Sequence, residues 1–241
     1  LSISERDIDG DGALNIFQKP DFDQDGDGFP DIYDDYPNDP IRSVSCQIGE
    51  YGRYVCLESP AGKHVPHIGS MYAIDCQIGS YQSDTGESEC LLSDAGHYVD
   101  SEGSASQIKC PSGTYNPNTG SNCINADSGH YVDSEGSITQ IKCLSGTYNP
   151  NTGSKSSNYC IETDAGYYAS EGSPSQTKCS AGTYQPDTRQ EKCLEAEIGY
   201  YATFGILVGR IEQTKCPEGT TTISNGTTSS AGCKIDTDGD G

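Results

Sequence analysis

The sequence predicts a small disulfide-rich fold, mainly short β-hairpins and irregular loops, strung together as an elongated tandem-repeat rod that carries Asp-rich loops. Three observations lead there. Leu, Ile, Val and Phe together number 37 of 241 residues, about 15%, under the roughly 20% below which a highly charged chain cannot bury enough apolar surface to fold unaided. Twelve Cys are spread through a chain with 29 Gly, 16 Tyr and no Trp, the composition of a disulfide framework made in an oxidising, extracellular setting. A Cys-x-x-Gly-x-Tyr phrase recurs in one register from residue 46 to 233, and such a period marks an array of small units rather than one large core.

The same composition argues against several function classes. With 14 Lys and Arg against 36 Asp and Glu, a net charge of −22, there is no basic face for nucleic acid. No apolar run approaches the ~18 residues of a membrane-spanning helix. The sparse core speaks against a Rossmann-like or barrel enzyme, and no Gly-x-Ser-x-Gly, P-loop or His-Glu-x-x-His motif occurs, so a non-enzymatic protein is expected. His97 and His130 share a repeat position that is Lys63, Tyr167 and Tyr200 in sister units, which assigns them a structural role.

The first element in chain order is residues 1–42. Its first forty residues hold eleven Asp and Glu5 against Arg6 and Lys19, a net of −10, and self-repulsion on that scale calls for cations. Asp23, Asp25, Asp27, Asp31 and Asp34 stand at positions 1, 3, 5, 9 and 12 of a loop with Gly28 at position 6. Oxygen ligands at this spacing wrap one Ca²⁺, with the glycine making the sharp turn and the Phe29 carbonyl filling position 7. Asp7, Asp9 and Asp11 begin a second loop of the same spacing, with Asn15 at position 9 and Gln18 at position 12. It carries fewer charges and is expected to bind more weakly. Pro20, Pro30, Pro37 and Pro40 argue against the flanking helices of an EF-hand.

The second element, residues 43–234, divides into repeats at 46–75, 76–109, 110–142, 143–178 and 179–215 and a half-repeat at 216–233. Each repeat has two halves. The first opens on Cys-x-x-Gly-x-Tyr, as in Cys76 to Tyr81. The second carries Gly-x-Tyr, as in Gly96-His-Tyr98, and ends in Gln-Ile-Lys-Cys or Gln-Thr-Lys-Cys. Glycine before x-Tyr suggests a turn with positive φ, and the later glycine of each half suggests a hairpin turn. Each half then reads as two short strands about a turn, with the Tyr ring covering the neighbouring disulfide and its hydroxyl in water. Pairing neighbouring cysteines, Cys46–Cys56, Cys76–Cys90, Cys110–Cys123, Cys143–Cys160, Cys179–Cys193 and Cys216–Cys233, uses all twelve, whereas the shifted scheme strands Cys46 and Cys233. Twelve cysteines allow many other connectivities, so this is an argument from parsimony.

Three features stand outside the register. Phe204-Gly-Ile206-Leu207-Val208 replaces a polar turn of the sister repeats and is the expected contact for a head-to-tail homopolymer. Asn225-Gly-Thr227 is an acceptor sequon for a glycan. Residues 235–241 open a further calcium loop, with Asp236, Asp238 and Asp240 at ligand spacing. Because Leu1 is not an initiator Met and the chain stops inside that motif, the sequence reads as a piece of a longer secreted product.

The Asp23 to Asp34 loop resembles a thrombospondin type 3 repeat, and Asp35-Tyr-Pro-Asn-Asp-Pro40 resembles the spacer of bacterial surface versions. The Cys-x-x-Gly-Thr-Tyr units resemble ephrin-receptor-like Cys-rich repeats, themselves similar to tumour-necrosis-factor-receptor modules, from which they depart in carrying two Cys per unit. Both resemblances imply an architectural protein. The expected function is an extracellular or cell-surface structural one: a calcium-rigidified, disulfide-stapled rod serving as fibre subunit, stalk or adhesin. The alternative is a receptor-like ectodomain that binds a protein or glycan through its Tyr-rich surface.

Overall fold

The structure, a computed structural model, describes residues 26, 31, 33–41, 44–53, 55–203 and 209–235. Among them the secondary structure is two-residue strands and two three-residue 3-10 turns, with no α-helix. The strands pair as eleven antiparallel hairpins, two for each full repeat. In order these are 50–51 with 57–58, 63–64 with 74–75, 80–81 with 91–92, 97–98 with 108–109, 114–115 with 124–125 and 130–131 with 141–142. Then come 147–148 with 161–162, 167–168 with 177–178, 183–184 with 194–195, 200–201 with 214–215 and 220–221 with 234–235. The chain clusters into two compact parts, residues 1–108 with 119–122, and residues 109–118 with 123–241.

Each hairpin is entered through the repeated glycine. At Gly79, φ is +87° and the N–H of Ser80 donates to the Gln77 carbonyl at 2.9 Å, a type II turn whose third position needs the left-handed conformation. The turn sets the Tyr on the outer face, opposite an aliphatic residue of the second strand: Tyr81 lies across from Leu91, Tyr115 from Ile124, Tyr131 from Ile141 and Tyr148 from Ile161. These tyrosines are half-buried and the aliphatics exposed. The expectation that tyrosine substitutes for a core therefore holds only in part. Side chains alternate across a strand, so the residue after the Tyr points inward instead.

Two columns of small residues make the interior. The first alternates the leading cysteine of each repeat, such as Cys76, Cys110 and Cys143, with Ser59, Ser93, Ala126, Thr163 or Ala196 in the second halves, all at most 1% exposed. The second alternates Val65, Val99, Val132, Ala169 and Ala202 with the amides Gln82, Asn116, Asn149 and Gln185, none above 3% exposed. Buried amides need partners and find them in their own turns. Asn149 donates to the His130 carbonyl at 2.9 Å and to Ser154 Oγ at 2.8 Å, and accepts from the Asn151 N–H. Gln82 and Gln185 donate to the carbonyls of Glu89 and Lys192. The amide thus shapes the turn of the hairpin that carries it.

Within each part, a hairpin bonds to the next one and the next but one. In the first part, Gly62 N–H donates to the Gln82 carbonyl of the third hairpin, and Gly103 N–H of the fourth donates back to Cys76 at the end of the second. In the second part, Gly129 N–H donates to Asn149, Gly146 N–H to Ala169, and Gly172 N–H back to Cys143. The entry glycine lies against the turn backbone two hairpins on: a Cβ on Gly79 would come 2.6 Å from the Gly120 carbonyl oxygen, and one on Gly113 2.5 Å from that of Gly153. No hairpin of two-residue strands is stable alone, and this double stacking is what gives each one a neighbour above and below.

Candidate functional site

All six disulfides join the neighbouring cysteines expected from the sequence, Cys46–Cys56 through Cys216–Cys233, and no cysteine is free. Each bridges the two strands of a first-half hairpin, from the leading cysteine to the residue just before the second strand. The second halves carry a polar substitute that sequence reasoning missed. Gln107, in the place of the second cysteine, receives the Asp94 N–H on Oε1 at 2.7 Å and donates Nε2–H to Asp94 Oδ2 at 2.6 Å. The same reciprocal clasp joins Gln140 to Asp127 and Gln176 to Asp164, and Gln213 to Glu197 in the tenth hairpin. The second hairpin lacks the glutamine and pairs Lys63 with Asp75 at 2.6 Å instead. The signal was present in the recurring Gln-x-Lys-Cys phrase, read in phase with an Asp two residues before the entry glycine.

Of the calcium ligands expected from the sequence, Asp7, Asp9, Asp11, Asn15, Asp23, Asp25, Asp27, Phe29, Asp236, Asp238 and Asp240 lie outside the described residues, as do Phe204, Ile206, Leu207 and Val208. Asp31 and Asp34 are described. Asp34 is 7% exposed; its Oδ1 accepts the Tyr36 N–H at 2.7 Å, while its Oδ2 is buried with no hydrogen-bond partner. A carboxylate oxygen buried without a partner is costly, and a hard divalent cation satisfies such an atom. The oxygen donors at the end of this loop therefore suit Ca²⁺. The following segment is tied to the first hairpin: Asp35 Oδ2 accepts the Ser45 N–H at 2.7 Å, and Arg53 donates to the Pro40 carbonyl at 2.8 Å.

His64 Nδ1 and the sulfurs of Cys76 and Cys90 lie within 4.8 Å of one another. The two sulfurs are bonded to each other, so neither is the thiolate a metal requires, and the trio is an imidazole packed on a disulfide, with Nδ1 3.1 Å from Cys90 Sγ. His97 and His130 are half-buried strand residues whose Nδ1 atoms lie 3.4 and 3.2 Å from the carbonyls of Ala95 and Ser128. Asn225 is exposed in the turn of the last hairpin. Among the described residues no helix is long and apolar enough to cross a membrane. No family model matches the chain, and no curated protein matches it.

Proposed function

We propose that the chain is a non-enzymatic extracellular structural protein, a calcium-rigidified and disulfide-stapled repeat rod that serves as a fibre subunit or cell-surface stalk. The observation that carries this reading is the stacking of every hairpin, within each compact part, on the next and the next but one. Interactions of this quasi-one-dimensional kind build length. Six disulfides favour the oxidising exterior of the cell. The partnerless Oδ2 of Asp34 supports Ca²⁺ as the ion that orders the acidic segment, and the head-to-tail homopolymer remains the proposed assembly.

Electron microscopy of the chain with Ca²⁺ and with a chelator tests this reading. Filaments that dissolve on chelation are expected; isolated particles indifferent to the ion would reject it. The receptor-like alternative is favoured by one observation, the recurring exposed pair of tyrosine and aliphatic side chain on the hairpin faces. Short isolated rods that retain a glycan or protein ligand would favour it instead.

A further inference from the structure

Arg189 is the only non-glycine residue with positive φ among the described residues, at +60°. It occupies the turn of the ninth hairpin, where sister turns have glycines such as Gly86, Gly120, Gly153 and Gly226, all in the left-handed region. A non-glycine residue held there is strained, and glycine is the residue this turn otherwise uses. What the arginine adds is its side chain, which reaches back to the seventh hairpin. Its guanidinium lies 3.3 Å from Glu162 Oε1, and it lines an open cleft of about 260 Å³ together with Tyr131, Lys142, Thr147, Ser157 and Glu162.

A second departure from the repeat forms the same cleft. The Cys143–Cys160 loop has a sequence separation of 17, against 13 for Cys110–Cys123 and 14 for Cys179–Cys193 on either side. The added residues include the 3-10 turn Ser157–Tyr159, which contributes Ser157 to the wall. Two departures from the repeat thus converge on one cavity, all of it within the second compact part.

The geometry points to this cleft as a binding site for a carboxylate-bearing sugar unit of an acidic saccharide. Two of the chain's 14 Lys and Arg residues line it, on a chain that holds 36 Asp and Glu. Neither cation is tightly held. The Arg189–Glu162 and Lys142–Glu171 contacts are 3.3 and 3.6 Å with every side chain more than half exposed, and exposed pairs of this kind are weak and exchangeable. A ligand carboxylate takes the Arg189 fork in place of Glu162, since guanidinium recognises carboxylates in a planar, two-point fashion. The half-buried Tyr131 ring offers an amphipathic surface to the C–H face of a sugar, and the Ser157 hydroxyl and Thr147 Oγ1 supply hydrogen-bonding partners for its hydroxyls. Thr147 Oγ1 already donates to the Leu144 carbonyl at 2.7 Å, which leaves it an acceptor there. The volume lies just under the ~300 Å³ at which small-molecule pockets begin, room for one ring of a chain that continues into solvent. This site depends neither on calcium nor on the assembly proposed above.

The test is calorimetric titration of the full chain, in chelator and again in Ca²⁺, with oligogalacturonate, oligoglucuronate and α2,8-linked oligosialate, each beside its carboxyl-reduced neutral counterpart. At least one acidic form is expected to bind at least tenfold more tightly than its neutral counterpart, in both ionic conditions, and to weaken as salt is raised. Arg189→Gly, which restores the residue of the sister turns, and Tyr131→Ala are each expected to lose at least tenfold in affinity. Glu162→Gln, which frees the guanidinium, is expected to bind more tightly. Arg189→Gly keeps the turn geometry, so an unchanged melting temperature and disulfide map accompany its loss of binding. No binding by any acidic form, equal binding of the neutral forms, equal binding by Arg189→Gly, or equal binding of a poly-Glu peptide would each overturn the proposal.

Discussion

Gly79 and Gly219 occupy the same place in the repeat, the entry turn of a first-half hairpin, with φ of +87° and +79°. They differ in surroundings: a Cβ on Gly79 would lie 2.6 Å from the Gly120 carbonyl oxygen, while one on Gly219 would meet nothing within 4 Å. The pair separates the cost of the turn from the cost of the stacking. Alanine in the left-handed conformation costs about 1–2 kcal/mol, partly offset by about 0.4–1 kcal/mol from the stiffer unfolded chain, so Gly219→Ala is expected to destabilise by about 1 kcal/mol or less. Gly79→Ala carries the same terms and must also push the Gly120 turn away. That threatens the bond from the Gly120 N–H to the Ser93 carbonyl, 2.8 Å long and worth about 1 kcal/mol, together with the packing of Gly120 on Leu92. A total of about 2–3 kcal/mol follows. Amide exchange measured residue by residue is the suitable assay, because long repeat arrays need not unfold in one step. Gly79→Ala is expected to lower protection across the third to fifth hairpins, and Gly219→Ala only around the eleventh. Equal effects of the two substitutions would refute the stacking argument.

Other outcomes follow from the same geometry. Gln140→Ala removes both bonds of its clasp with Asp127 and is expected to cost about 1 kcal/mol, read as faster exchange at the Asp127 amide while Cys143–Cys160 stays intact. Replacing both Cys179 and Cys193 by Ala opens a loop of sequence separation 14 and is expected to cost roughly 3 kcal/mol; a melting temperature unchanged by that double substitution would contradict a stapling role. Asp34→Asn is expected to diminish the heat of Ca²⁺ binding to the full chain and leave the disulfide map unchanged, whereas undiminished heat would remove Asp34 from the ligand set.

Much of this was legible in the sequence because the repeat is governed by backbone rules. A glycine before x-Tyr announces a left-handed turn, and the structure has positive φ at Gly49, Gly62, Gly79, Gly96 and their equivalents. Cysteine parsimony found the six bridges because each joins strands of a single hairpin. The interior was harder to read. Tyrosine drew attention by its size, yet Val99 and Asn149 one residue later are the buried side chains, because alternation along so short a strand decides which face each residue takes. The clasps were missed for a related reason. Asp94 and Gln107 look like ordinary polar surface residues until the hairpin sets them side by side, where they occupy the ground that a disulfide holds in the sister hairpin. The stacking on the next hairpin but one involves residues such as Glu58 and Thr85, joined at 3.0 Å, and no local pattern encodes a contact of that separation.

The central claim is that stacked, stapled hairpins and calcium make a rigid rod, and small-angle X-ray scattering of the monomeric full chain tests it most directly. A compact domain of 241 residues has a radius of gyration of about 18 Å. The account predicts a value well above that in Ca²⁺, with the cross-sectional profile of a rod and a shift towards a more flexible profile on chelation. A radius near 18 Å, or a scattering curve that the chelator leaves unchanged, would contradict it.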